Sequence, residues 1–427
     1  MQEKFSSANE LVDHLFRHEA GKMIAVLTRL FGIHNLSMVE DVVQDAFVKA
    51  VQTWKFNALP QNPSAWLMQV AKNKALDILR RKNLFDNYSK EFSSHIQEVS
   101  DEFVDQVFLD TEIADSQLQL IFACCHPSLK EEDQIALTLK TISGFGVPEI
   151  AKALLTQEAT IQKRLYRAKQ FILKNNIQLE IPTGKELLAR LETVYTVLYL
   201  IFNEGYNSSK ADELIRKDLC AEAMRLCLLL SEHKASDEPA TYALLALMCF
   251  QASRFESRLD ENSSIILLAQ QDRNKWNKEL INRGYYYLNH SSEGKHLTVY
   301  HVESAIAAEH CMAASFEETN FERLLSLYDL LYEIKPTPVV QLNRAVVLSY
   351  TGKTQAAIDC VHTITNIDHF LETQYIFNSV LGELYARNAQ PQEAKNYFDH
   401  ALKLTQSDAE KKLLKEKLNA IEAVLWN

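Results

Sequence analysis

Glycine and proline are scarce in this chain, 10 and 9 among 427 residues. With Leu, Ala, Glu, Gln and Lys abundant, that scarcity favours an all-α protein. The glycines are also too few and too isolated to cradle a nucleotide phosphate, and no nucleophile elbow appears. The reading is therefore not an enzyme, and no cofactor is expected. Long apolar runs are missing too. Val194 to Phe202 and Tyr242 to Phe250 are half of what a bilayer span needs, so they read as buried helices and no membrane contact is expected. The opening MQEKFSSANELVDHLF lacks a basic region followed by an apolar core, so no signal peptide is read and a cytoplasmic location is expected. Seven cysteines, an odd number scattered along the chain, fit a reducing compartment. Cys124, Cys125 and His126 are adjacent. Consecutive side chains diverge, however, and no second CxxC or HxxxH completes a shell, so they read as structural and no metal is expected.

Charge is present but uneven. The chain carries a formal −11, yet Asn62 to Asn83 holds Lys72, Lys74, Arg80, Arg81 and Lys82 against the single acid Asp77. Residues 1–180 hold 20 basic and 23 acidic groups, and Asp86 to Asp133 alone holds 12 acids and 2 bases. The pattern is a basic module, an acidic connector, a second basic module and a large acidic tail. Two basic modules suit a polyanionic partner.

Residues 8–31 read as an amphipathic helix. SMVEDVVQDAFVKAVQTW follows, with Ser37 and Glu40 spaced as a capping box. Val39, Val42, Val43, Ala46, Phe47, Ala50, Val51 and Trp54 form its apolar stripe, and Glu40, Asp41, Gln44 and Asp45 lie off it as an acidic surface. After the loop KFNALPQ, Asn62 stands as N-cap and Pro63 at the first helical position. The next helix buries Leu67, Val70, Ala71, Ala75, Ile78 and Leu79. It turns out Asn73, Lys74, Asp77, Arg80 and Arg81, a donor-rich face suited to phosphates and bases. Residues 84–113 have no strong period. GVPEIAKALLTQEATIQKRLYRAKQFILK then lays out two helices, from Pro148 to about Leu155 and from about Thr160 to Lys174, joined by a tight connection. This is a helix-turn-helix pattern. The second helix carries Lys163, Arg164, Arg167, Lys169 and Lys174 with no acid from Thr160 onward, and turns Ile161, Leu165, Ala168 and Ile172 inward.

Taken in order, VEDVVQDAFVKAVQTW, AWLMQVAKNKALDILRR and IAKALLTQEATIQKRLYRAKQFI resemble regions two and four of an extracytoplasmic-function (ECF) sigma factor of the sigma-70 family. The resemblance implies docking of Asp41, Gln44 and Asp45 on core RNA polymerase. It implies that the loop and helix bearing Lys55, Asn57, Asn73, Lys74, Arg80 and Arg81 hold an opened minus-ten promoter element. It also implies that Gln162, Lys163, Arg164 and Arg167 reach the minus-thirty-five element of promoter DNA. Two departures bear on specificity: Leu154-Leu155-Thr156 stands where the family's turn has Gly, and Gln162 replaces a common Lys. Most members end near position 180. The extension resembles a subgroup in which LYLIFNEGY, DLCAEAMRL and PTPVVQLNRAVVL recur and the tail is thought to replace a separate anti-sigma regulator.

Read physically, the tail is a helical-repeat domain. Leu381, Gly382, Tyr385, Ala394, Phe398 and Ala401 match tetratricopeptide spacing, and Ala345, Gly352, Ala357 and Val361 precede Gly382, Ala389, Ala394 and Phe398 by a constant interval. Such a solenoid offers a concave surface for a protein or peptide ligand. FNEGY reads as a structural turn. His296, His301, Glu309, His310 and Cys311 do not assemble a recognisable catalytic motif. The resulting plan is residues 1–85 as region two, 86–113 as acidic linker, 114–178 as region four, 179–330 as helical extension and 331–427 as tetratricopeptide-like repeats. Two other readings stay open on the residues alone: a one-component helix-turn-helix activator with a sensing repeat domain, and a helical-repeat scaffold that binds protein without DNA.

Overall fold

The structure, a computed structural model, describes residues 8–54, 59–85, 110–154, 156–206, 215–261, 264–294, 296–405 and 407–425. It is all-α. Among the described residues the only bridge of β type joins Leu259 to Ile265. The chain forms two compact units, one taking the residues up to Ile201 with Glu232–Ser236, the other taking Phe202–Ser231 and everything from Asp237 on.

In the first unit, α1 (Ala8–Phe31) runs through a 3-10 turn into α2 (Leu36–Trp54), and α3 (Pro63–Phe85) follows. The apolar stripe of α2 is inside, with Val39, Val42, Val43, Ala46, Phe47, Ala50 and Trp54 all buried. The expected capping box is not formed. The 3-10 turn carries straight on into α2, so Ser37 already lies within the helix. Glu40 is buried instead, and its Oε2 takes a hydrogen bond from Lys169 Nζ at 2.7 Å. At the start of α3 the expected cap is present, the Ala65 amide donating to Asn62 Oδ1 at 3.0 Å.

The linker span reads differently at its end. Residues 86–109 lie outside the description, and α4 begins at Asp110 and runs to Cys124, so the last residues of the proposed linker are helical. Then come α5 (Glu131–Thr141), α6 (Val147–Ala153) and α7 (Glu158–Lys174). Ile161, Leu165, Ala168 and Ile172 of α7 are buried, each large side chain contributing about 1.5–3 kcal/mol. Gly21 lets α1 approach the end of α5: a Cβ there would lie 1.8 Å from the Ile142 carbonyl oxygen. Arg29 of α1 and Glu112 of α4 add an ion pair at 2.6 Å.

The division into units falls inside α8 (Gly184–Tyr206). FNEGY is the last turn of this helix and not a separate turn. In the second unit α9 (Lys217–Glu232), α10 (Pro239–Ala252), α11 (Lys278–Ser291), α12 (Val299–Met312) and α13 (Phe321–Ile334) precede the repeats. The first repeat pairs α14 (Pro338–Tyr350) with α15 (Thr354–His362), and after the short α16 (Ile367–Thr373) the second pairs α17 (Tyr375–Arg387) with α18 (Pro391–Leu404). Helix α19 (Asp408–Leu425) closes the row by packing Leu414 and Leu418 on Ala394, Phe398 and Ala401. Ala345, Ala357 and Val361 of the first repeat lie in one core with Phe377 and Leu381 of the second.

Candidate nucleic-acid and polymerase interface

On α2, burial of the apolar stripe leaves Asp41, Gln44 and Asp45 exposed. They sit one helical turn apart as a polar face. The Trp54 and Trp66 rings lie 5.3 Å apart and brace the end of α2 against α3 across the connecting loop. Asp45 also meets α3, where Lys74 Nζ donates to its carboxylate. The structure thus joins one residue of the expected polymerase set to one of the expected minus-ten set. Asn73 is exposed and its Oδ1 accepts from Gln69 Nε2 at 2.9 Å. Arg80 and Arg81 lie in the last turns of α3, but their side chains are outside the described residues, as are Lys55 and Asn57 altogether.

The helix-turn-helix is formed by α6 and α7, with α5 behind them. The Gly146 amide donates to Glu149 Oε2 at 2.7 Å and starts α6. The turn after α6 needs no left-handed residue at Leu154, whose φ is −95°, and the Thr156 amide donates to the Ala151 carbonyl at 3.0 Å. On α7, Gln162, Lys163 and Arg167 are exposed, whereas Arg164 is half-buried.

The two arginines differ from the lysine in their surroundings. Arg167 donates from Nε at 2.6 Å and from an Nη to the carboxylate of Asp133, which is only 2% exposed. This forked pair drives the guanidinium further above its usual range. Arg164 pairs with Glu132 at 3.0 Å. Helix α5 therefore orients both arginines. Tyr166, which composition and charge did not single out, stands 67% exposed between Lys163 and Arg167. Its signal in the sequence was an aromatic residue off the buried period of α7. Lys169 faces away from this surface and holds Glu40 of α2, so the two modules share one compact unit in this conformation.

The remaining polar clusters are structural. Cys124 and Cys125 are buried, with Sγ 3.2 Å from Thr141 Oγ1 and 3.5 Å from Thr138 Oγ1. Burial pushes both thiols far up, Cys125 to about 12. His301 Nδ1 accepts from the Thr298 amide at 3.1 Å, capping α12, and Nε2 donates to the Ser291 carbonyl at 3.2 Å. Glu309 pairs with Arg323 at 3.0 Å. Among the described residues no group of three or more His, Cys, Asp or Glu side chains is placed to hold a metal. Nor is any described helix long and apolar enough to cross a membrane.

Comparison with known proteins agrees with this geometry. Residues 15–84 match sigma-70 region 2, residues 119–172 match sigma-70 region 4, and residues 190–292 match a family of unknown function, DUF6596. An uncharacterised protein of Rhizobium meliloti is 33% identical over 402 residues, 94% of this chain and 93% of that one. The ECF RNA polymerase sigma-E factor of Haemophilus influenzae is 26% identical over 37% of this chain and 82% of its own length. That of Escherichia coli K12 is 28% identical over 33% and 74%. No solved structure matches the chain. The sigma-70 region 2 and region 4 matches, with the sigma-E relatives, identify a transcription initiation factor that is not itself an enzyme. The chain belongs to the sigma-70 family and is an ECF-type sigma factor with a C-terminal helical extension. Its sigma-70 domains imply binding of core RNA polymerase and of promoter DNA.

Proposed function

We propose that three surfaces divide the work of initiation, the first two adjoining at the Asp45–Lys74 pair. Asp41, Gln44 and Asp45 dock on core RNA polymerase. Asn73, Lys74, Arg80 and Arg81, with Lys55 and Asn57 from the preceding loop, hold the unstacked strand of the minus-ten element. Gln162, Lys163, Arg164 and Arg167 meet the minus-thirty-five duplex, with Tyr166 beside them. The observation that carries this reading is the amphipathic split of α7, where Gln162, Lys163, Tyr166 and Arg167 are exposed opposite a buried Ile161–Leu165–Ala168–Ile172 row. Opening needs no nucleotide hydrolysis. Bases captured by stacking contribute about 1–3 kcal/mol each, and the lysines and arginines add a salt-dependent phosphate contribution. The protein works in the cytoplasm beside the polymerase, and its tail regulates initiation by engaging a ligand through the repeats.

The test separates the surfaces. Replacing Asp41, Gln44 and Asp45 together by Ala should abolish co-migration with core polymerase. Replacing Gln162 and Lys163 should leave co-migration intact and weaken only binding to duplex bearing the upstream element. If the first triple variant still binds polymerase like the parent chain, the assignment of α2 is wrong.

A further inference from the structure

The repeat part of the second unit carries an open cleft of about 580 Å³, with Asn343 exposed at its wall. Its walls come from α13, α14, α17 and α19, and from the connector Ile265 to Gln270. Volume and lining suit a small molecule, since such sites span roughly 300–1,000 Å³ and are mostly apolar with a few polar groups. Phe316, Phe321, Tyr328, Tyr350, Val346 and Val380 supply aromatic and aliphatic wall.

The charged groups of the wall sum to zero and each already has a partner. Lys417 Nζ lies 2.6 Å from Glu383 Oε2, and Arg387 also pairs with Glu383 while its guanidinium stacks 4.0 Å over the Tyr350 ring. Glu410 accepts hydrogen bonds from Tyr375 and Thr405. Two cations and two carboxylates leave no net charge, so a charged ligand would have to displace a partner that the wall already supplies. Asn343 and Ser379 also line the cavity and spend no side-chain hydrogen bond on another described residue. The connector is held by the Ile266 amide, which donates to the Arg258 carbonyl at 2.9 Å, by Gln271 Nε2, which donates to the Ile266 carbonyl at 3.1 Å, and by Lys412 and Ser264.

We propose that this cavity binds a neutral, largely apolar small molecule that carries one or two hydrogen-bonding groups, met by Asn343 and Ser379. Water against the aromatic wall is poorly bonded, and its displacement favours such a guest. That binding also controls transcription rests on the regulatory reading of the tail given above; the site itself does not.

The full-length protein is titrated with the neutral fluorophore N-phenyl-1-naphthylamine. One saturable site is expected, with Kd on the order of 10 µM. Ser379→Trp and Val346→Trp, which fill the cavity from different helices, should each weaken binding at least about tenfold. The milder Ser379→Leu, which keeps the fold if either tryptophan does not, should weaken it about threefold. The sulfonated analogue 8-anilinonaphthalene-1-sulfonate should bind about tenfold more weakly than the neutral probe. Absence of saturable binding overturns the proposal. So does unchanged affinity in the Leu and Trp variants, or equal affinity for the sulfonated probe. Saturable, cavity-dependent binding that leaves promoter transcription unaltered retains the site and overturns its regulatory role.

Discussion

Gly382 lies directly beneath the Phe398 ring: a Cβ at Gly382 would sit 2.8 Å from two ring carbons. The ring is 1% exposed, so it has little room to withdraw. One repeat earlier the equivalent residues are Ala345 and Val361, a larger side chain facing a smaller one. The helix pair keeps its spacing by exchanging volume between its two members. Gly382→Ala should therefore destabilise the protein by about 1–3 kcal/mol through overpacking. Adding Phe398→Val should recover part of that loss, with a coupling of roughly 1 kcal/mol in urea unfolding. Additive costs would show that the two sites do not share space.

The same repeat interval links Gly352, at φ +82°, to Ala389, at φ +55°. Both turns use a left-handed residue, but only the first is glycine. An alanine there carries about 1–2 kcal/mol of steric strain. Ala389→Gly should accordingly raise stability by roughly 1 kcal/mol, and Gly352→Ala should lower it by a similar amount. Nothing lies within 4 Å of a Cβ at Gly352, so backbone strain alone is tested there. The midpoint of urea unfolding measures both.

Lys163 and Arg167 sit on one exposed face and should respond differently. Lys163 is free of the acidic helix behind it, so Lys163→Ala should leave stability within about 0.5 kcal/mol. It should also reduce the salt slope of promoter-DNA binding by about 0.9. Arg167→Ala strands the buried Asp133 carboxylate without its forked partner. It should cost roughly 2 kcal/mol of stability, because one member of the pair is half-exposed, and weaken DNA binding as well. The double variant Asp133→Ala with Arg167→Ala should restore part of the stability without restoring DNA binding.

The pH dependence of the second unit should carry the mark of His310. Burial, aided by Arg254 and Arg273, pushes its imidazole down to about 4. In the unfolded chain the ring takes a proton near pH 6.5, while the folded protein resists until near pH 4. Between those values the unfolded state binds more protons, so stability is full above pH 6.5 and falls as the pH drops. By pH 5 the loss should reach on the order of 2 kcal/mol. His310→Asn should flatten that part of the curve. An unchanged profile in the variant would assign the acid sensitivity elsewhere.

Much of this architecture is legible in the residues because period and composition act locally. The stripe of α2 and the inner row of α7 fall where helical spacing puts them, and Asn62 caps α3 as its side chain permits. What is not legible depends on neighbours distant in sequence. Glu40 looks like a capping residue until Lys169, far along the chain, claims it. Arg164 and Arg167 look like free cations until Glu132 and Asp133 are placed behind them. FNEGY looks like a turn because it holds a glycine, yet it finishes α8, whose apolar run leads straight into it. The connector from Ile265 to Gln270 that lines the cleft has no periodicity to announce it.

Purified core RNA polymerase, a promoter library and this protein settle the central claim most directly. Runoff transcription in the presence of the protein should begin at a defined subset of promoters sharing paired upstream and minus-ten elements, and it should vanish without the protein or with Asp41, Gln44 and Asp45 replaced. Transcripts that appear equally without the protein, or a failure to associate with the core enzyme, would contradict it.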